Sequence, residues 1–224
     1  MYILHHIDDW ASLIIRLALE EMGLPYTLHS HDADAGTLDR PDFRSLNPQG
    51  LIPVLETPDG PMFETAAILL WLADRHSAMA PAPSDPGRAA FLSWFMFVSN
   101  TVHPTVMALF YPERVAGPMA EAAACQSAHA RLCQQCALLD ALIAQAPGWL
   151  QANGPTVVSP YLAVLLRWAQ FLAADPACTL DLAPYPALHA HLRSLEARPA
   201  FARVTLAEAL GPTPFSDPQP DPQE

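Results

Sequence analysis

The stretch from Leu46 to Asp74, LNPQGLIPVLETPDGPMFETAAILLWLAD, limits the folds open to this chain more than any other. PVLET and PMFE are strand-like runs separated by Pro58-Asp59-Gly60, a hairpin signal. Glu64-Thr65 then opens a helix, TAAILLWLADRH, whose continuous apolar character implies burial on most sides. Pro53 stands directly before Val54-Leu55. A proline lacks the backbone N–H and fixes φ, so it weakens a central strand. Either the strand is an edge or the proline has a task.

Upstream, YILHH reads as a strand, ASLIIRLALEEMG as a helix stopped by Gly23, and PYTLHS as a second strand, a β-α-β unit. A polar loop, HDADAGTLDRPDF, carries a short helix ending near Asn47-Pro48. The predicted order is β-α-β-α-β-β-α, closing by Ser77. The proline-rich segment AMAPAPSDPG, 78–87, reads as a linker that few contacts cross. From 88 to 210 the segments RAAFLSWFMFVSNTVHPTVMALF, AEAAACQSAHARLCQQCALLDALIAQA, SPYLAVLLRWAQFLA and YPALHAHLRSLEARPAFARVTLAEAL all read as helices. The closing GPTPFSDPQPDPQE, 211–224, is proline-rich and acidic and is expected to be a disordered tail.

A formal charge of −12 with only 11 scattered Lys and Arg argues against a nucleic-acid partner or an anionic membrane surface. AAILLWLA is too short to span a bilayer, and MYILHHIDDW meets two aspartates early, unlike a secretory signal. A cytoplasmic enzyme or binding protein is the default.

Cys125, Cys133, Cys136 and Cys178 include a C-x-x-C, CQQC, within a helical pattern with no strand before it. At roughly 100° per residue Cys125 and Cys136 fall about 20° apart and Cys133 about 80° from Cys125, so the three share a face. They read as small buried hydrophobes, because a reactive thiolate needs electropositive surroundings and only Arg131 is near. No second C-x-x-C or His pair completes a zinc site, and no metal is expected.

NPQGLIPVLETPDG…FETAAILLWLAD resembles the glutathione S-transferase superfamily, in which an N-P-x-G-x-x-P-x-L segment leads to a hairpin and a Glu-Ser or Glu-Thr pair. RLALEEMGLPY is similar to that family's first helix and second strand, SPYLAVLLRWA to its buried helix, and YPALHAHLRSLEARPAFARV to its late helix. The resemblance covers the chain to about Leu210 and is nearest to bacterial beta-like members. It implies an α/β plus all-α fold: a thioredoxin-like, glutathione-binding domain over 1–77, then an all-helical domain over 88–210. It also implies a homodimer, with glutathione as co-substrate and a small apolar electrophile as partner.

In the resembled family the proline matching Pro53 is cis, although only about one X-Pro bond in twenty is cis in folded proteins. There it turns the backbone of the preceding residue, here Ile52, toward a bound peptide, as an added strand pairs with an edge. The alternative is that Pro53 merely ends a turn. A helix start with open N–H groups suits the α-carboxylate of a γ-glutamyl group, with the Thr65 hydroxyl beside it and the Glu64 carboxylate accepting the ammonium. The alternative makes Thr65 an N-cap and Glu64 a solvated charge.

Catalysis needs a donor that stabilises the thiolate. The resembled beta-class pattern P-G-A-C-S puts Ala11 at the cysteine and Ser12 at the neighbouring serine, so the cysteine route is lost. Ser12 is the remaining hydroxyl. A hydrogen bond to a charged partner contributes roughly 1.5–3 kcal/mol, about one to two pKa units. Asp8 and Asp9 would act the other way, unless they simply serve the helix start, and Ser12 can equally be an N-cap. Leu51 replaces a Lys or Gln common after N-P-x-G, which removes a polar contact to glutathione. His103, in SNTVHPT, resembles a histidine that the beta class points into the cleft, the alternative being a satisfied structural residue. Trp10, Phe97, Met107, Phe110, Tyr111 and Trp168 can line an apolar site or pack in the core. The expectation is a transferase. The alternatives are a non-catalytic glutathione- or ligand-binding protein of the same fold, or a glutathione-dependent isomerase or lyase.

Overall fold

The computed structural model describes residues 1–117, 119–151 and 154–219. Its first part runs β1 (Tyr2–His6), α1 (Ser12–Glu21), β2 (Tyr26–Ser30), α2 (Pro41–Leu46), β3 (Val54–Thr57), β4 (Gly60–Phe63) and α3 (Thr65–His76). The strands form one sheet in the order β2-β1-β3-β4. β1 runs parallel to β2, a pairing that needs a crossover, and α1 supplies it. β3 is antiparallel to both β1 and β4, so it is interior to the sheet. Pro53 precedes its first residue and takes no place in the ladder.

Alternation along β1 decides what each side chain meets. Tyr2 and Leu4 enter the main core with α1 and α3, and buried His6 follows their two-residue spacing. His5 turns to the opposite face, beside Val54 of β3 and against Phe43 of α2. There Leu38, Phe43, Ile52 and Val54 make a second, smaller apolar cluster. Leu13, Ile14, Ile15, Leu17, Ala18 and Leu19 of α1 have no exposure, because α3 packs on this helix and so do two helices of the second part.

That second part consists of α4 (Arg88–Phe97), α5 (His103–Phe110), α6 (Glu113–Ala116), α7 (Glu121–Ala144), α8 (Gly148–Gln151), α9 (Val158–Ala169), α10 (Pro186–Glu196) and α11 (Pro199–Ala207). All twelve residues of α9 are buried, and α9 and α11 are the helices that reach α1. The sequence predicts one helix across 88–110. In the structure a π-helical turn at Val98–Val102 joins α4 to α5, and the register shift leaves Pro104 in the first turn of α5, where a missing N–H costs least. The segment before α4 is also tied in, since the Val157 N–H donates to Met79 O at 2.8 Å.

Two expectations need correction. Thr65 is not a cap: Glu64 occupies that position and Thr65 is the first helical residue. The tail is packed as far as it is described, with Phe215 fully buried and edge-on to Phe201. Glu196 accepts from the N–H groups of Phe215 and Ser216 and from the Ser216 hydroxyl, each at 2.8 Å. One aromatic anchor and a carboxylate thus outweigh the proline-rich composition. Residues 220–224 of the expected tail lie outside the described residues. No helix among the described residues is long and apolar enough to cross a membrane.

Candidate functional site

The loop entering β3 is built by Asn47 and Gly50. The buried Asn47 amide donates to Leu51 O at 2.7 Å, and its Oδ1 accepts the Gln49 N–H at 3.1 Å. Gly50 sits at φ 67°, and a Cβ there would lie 2.8 Å from Arg44 Nη2 and 3.1 Å from Leu38 O. A side chain is therefore excluded twice, by conformation and by space. This closed turn delivers Leu51, exposed, and Ile52, buried, to the start of β3. The Ile52–Pro53 peptide bond is cis.

The hairpin β3–β4 then carries the chain to α3. Glu64 adopts φ 72° and ψ 111°, a sparsely populated backbone region for a residue with a Cβ. Among the described residues its exposed carboxylate has one hydrogen-bond contact, a long 3.4 Å one from Gln49 Nε2. Thr65 is buried beside it, at the helix end where backbone N–H groups and the dipole favour an anion.

Ser12 opens α1 with no exposure at all. Its hydroxyl donates to Ile7 O at 3.0 Å, accepts the Ile7 N–H at 3.2 Å and lies 3.1 Å from His6 Nδ1. The hydroxyl has one proton, for which Ile7 O and His6 Nδ1 compete, and one of its lone pairs is taken by the Ile7 N–H. Ser12 does not cap α1, and its hydroxyl is engaged within the β1–α1 loop. It fastens the β1–α1 loop instead. His6 extends the network, its Nε2 donating to exposed Asp8 at 2.8 Å.

Asp9 is the residue whose role sequence reasoning missed. At φ 53°, its carboxylate takes bonds from Arg167 Nε at 2.9 Å and Nη2 at 2.8 Å. Its carbonyl accepts from Trp168 Nε1 at 2.9 Å, and its N–H donates to Glu208 Oε2 at 2.9 Å. Glu208 in turn pairs with Arg16 at 2.9 Å. Burial pushes the Glu208 carboxyl up, against the opposing pull of the Asp9 N–H, His6 and Arg16. The signal was Arg167 itself, a lone cation in the apolar helix SPYLAVLLRWA, which cannot be buried without a counter-ion.

Tyr161 of α9 shares a 2.8 Å hydrogen bond with His103 Nδ1. Burial pushes the Tyr161 phenol up to about 12; a hydrogen bond with Ser99 opposes this, and the nearby Glu64 carboxylate adds to it. Burial holds His103 down to about 4. Trp10 is 43% exposed on the β1–α1 loop, whereas Trp168 is buried and Phe97, Met107 and Phe110 pack on the core. Exposed Tyr111 lies under Arg114, 3.6 Å from ring centroid to guanidinium carbon. The four cysteines are unpaired; Cys125, Cys136 and Cys178 are buried, and burial pushes the Cys136 and Cys178 thiols up.

A thioredoxin-like sheet unit joined to a helical region, with a closed turn leading into β3 and a strained residue opening α3, has the architecture of glutathione transferases. The family described as "Glutathione S-transferase, N-terminal domain" matches residues 11–75. Glutathione S-transferase GST-4.5 of Xanthomonas campestris is 31% identical over 170 residues, covering 73% of this chain and 80% of that protein. A glutathione transferase from Methylococcus capsulatus superposes with a TM-score of 0.78 at 28% identity, covering 94% of this chain and all (100%) of that one. A sphingomonad glutathione S-transferase complexed with glutathione gives 0.75 at 30% identity, covering 93% and 100%. The chain belongs to the glutathione S-transferase family.

Proposed function

We propose that the chain binds glutathione between the Leu51–Pro53 segment and the start of α3, and transfers its thiolate to a small apolar electrophile. The observation that carries this reading is Glu64, an exposed carboxylate held in a costly backbone conformation at a helix N-terminus. Its carboxylate takes the γ-glutamyl ammonium, and Thr65 with the first N–H groups of α3 takes the α-carboxylate. The Ile52 backbone pairs with the cysteinyl residue, with Pro53 behind it. Glutathione complexes of relatives such as the sphingomonad enzyme support the assignment.

With the Ser12 proton claimed by Ile7 O and His6 Nδ1, the thiol falls to the N-terminus of α1, whose opening backbone N–H groups lower a thiol pKa. Ser12 acts by holding the Ile7–Ala11 loop in place. Trp10 forms the rim on this side, and His103 with Tyr161 forms the facing wall. The four free cysteines suit a cytoplasmic setting, and a homodimer completes the reading.

Calorimetric titration with glutathione tests it. The wild-type chain is expected to bind, and Glu64→Ala to weaken binding at least tenfold. Absence of binding heat with the wild type overturns the assignment.

A further inference from the structure

On the sheet face that carries α2, far-apart positions bring three imidazoles together. His5 of β1 lies directly opposite His29 of β2, and His31 follows His29 by two residues, on the same face. Ring centroids are 4.8 Å apart for His5–His29, 5.1 Å for His5–His31 and 4.9 Å for His29–His31. One nitrogen from each ring can be chosen so that all three lie within 4.8 Å of one another.

We propose that His5, His29 and His31 form a binding site for a divalent transition-metal ion of imidazole preference, zinc in the first instance, with water completing the coordination. Three neutral imidazoles plus an open position is a donor set that suits zinc. The site is independent of the proposed glutathione site, since it uses neither Glu64 nor the start of α1.

The partners around the rings are those that orient metal ligands. Glu56 Oε1 lies 3.1 Å from His5 Nε2. A carboxylate only accepts, so the proton is on Nε2 and the His5 Nδ1 lone pair is free for a ligand. That Nδ1 now takes a 2.8 Å hydrogen bond from His31 Nε2. Two nitrogens bound tetrahedrally at 2.0–2.1 Å stand about 3.3 Å apart, so the rings part by only about half an ångström to admit an ion.

His31 must give up its Nε2 proton, and the fold supplies a place for it. Thr37 Oγ1 lies 3.3 Å from His31 Nδ1; it donates to Asp32 O and accepts the Asp32 N–H, which leaves one lone pair unused. The proton moves from Nε2 to Nδ1, both rings stay neutral, and no charge has to leave the site. Phe43 closes one side, 5.4 Å from His5 and 4.7 Å from His31 between centroids. His5 is buried, His31 half-buried and His29 exposed, so the open flank at His29 is the way in. Burial, reinforced by His5 and His29, holds His31 down to about 4, and burial lowers His5 against the Glu56 hydrogen bond.

Titration of the full chain with Co²⁺, read by its visible ligand-field absorption and followed by displacement with Zn²⁺, tests the site. One equivalent is expected to bind. His29→Ala and His31→Ala each lower the affinity at least tenfold, and Glu56→Gln by about 10–100-fold. Histidine-selective NMR of the wild type, which needs no variant to fold, is expected to show three perturbed side chains. No binding overturns the proposal. So does the same affinity and spectrum in the His29→Ala, His31→Ala double variant, which would move the ion to another group such as His129 with Cys133, 3.7 Å apart.

Discussion

Arg167 grips the carboxylate of Asp9 through Nε and Nη2, at 2.9 and 2.8 Å, across 158 residues of sequence. The pair joins the loop in front of α1 to the most buried helix of the second part. Arg167 is 4% exposed, so losing its counter-ion leaves a charge with little water to turn to. Removing one partner of a buried pair costs about 3–5 kcal/mol, and Asp9, being partly exposed, should fall at the lower end. Asp9→Ala is therefore expected to lower unfolding free energy by about 3 kcal/mol in urea titration. A loss under half that would mean the pair is solvent-screened.

Ser12→Ala removes a buried hydroxyl and leaves the Ile7 N–H and carbonyl without it. The expected cost is about 1–3 kcal/mol of stability. The thiolate pKa of bound glutathione, followed by ultraviolet absorbance, is expected to hold steady. A rise of one unit or more with no change in stability would return the activating role to the Ser12 hydroxyl.

Glu64→Gly separates strain from recognition. Relief of a non-glycine residue from its positive φ is expected to leave stability unchanged or raise it by up to about 1–3 kcal/mol, while glutathione affinity is lost. Stability and affinity falling together would show that the Glu64 side chain supports the fold.

His103 titrates near 4 in the folded chain against 6.5 as its ordinary value. Between those values the unfolded chain holds a proton that the folded chain does not. Stability therefore rises with pH across this window and is lost as pH falls through it, with a slope of up to about 1.4 kcal/mol per pH unit from this group. His103→Asn is expected to flatten the stability curve between pH 4 and 6.5 by that amount. Superimposable slopes would remove His103 as the cause.

The N-terminal order of strands and helices was legible because period-2 and period-3.6 patterns alternate cleanly and Gly23, Pro58-Asp59-Gly60 and Ser77 mark the stops. The π turn was not, since VSNTV at Val98–Val102 holds neither glycine nor proline to mark a break in the helical run. The packed end of the chain was hidden by composition, for a single phenylalanine decided it. At the candidate site, Glu64 and Thr65 stood out through their place between a hairpin and a helix. For Ser12 the sequence places a hydroxyl but not its partners. The histidine cluster escaped because its members join through strand pairing, and the search for metal ligands followed spacing along the chain.

Arg167 also donates through Nη1 to Pro214 O at 2.9 Å, and Gln170 Nε2 to Phe215 O at 2.9 Å. The charge on α9 is thus met from both sides in sequence, by Asp9 far upstream and by Pro214 downstream. A growing chain emerging from the ribosome has Asp9 early but lacks Pro214 and Phe215 until α11 has already been made. The centre of the second part is then among the last regions to settle, and an interrupted translation product ending after α11 carries a half-answered arginine at its core.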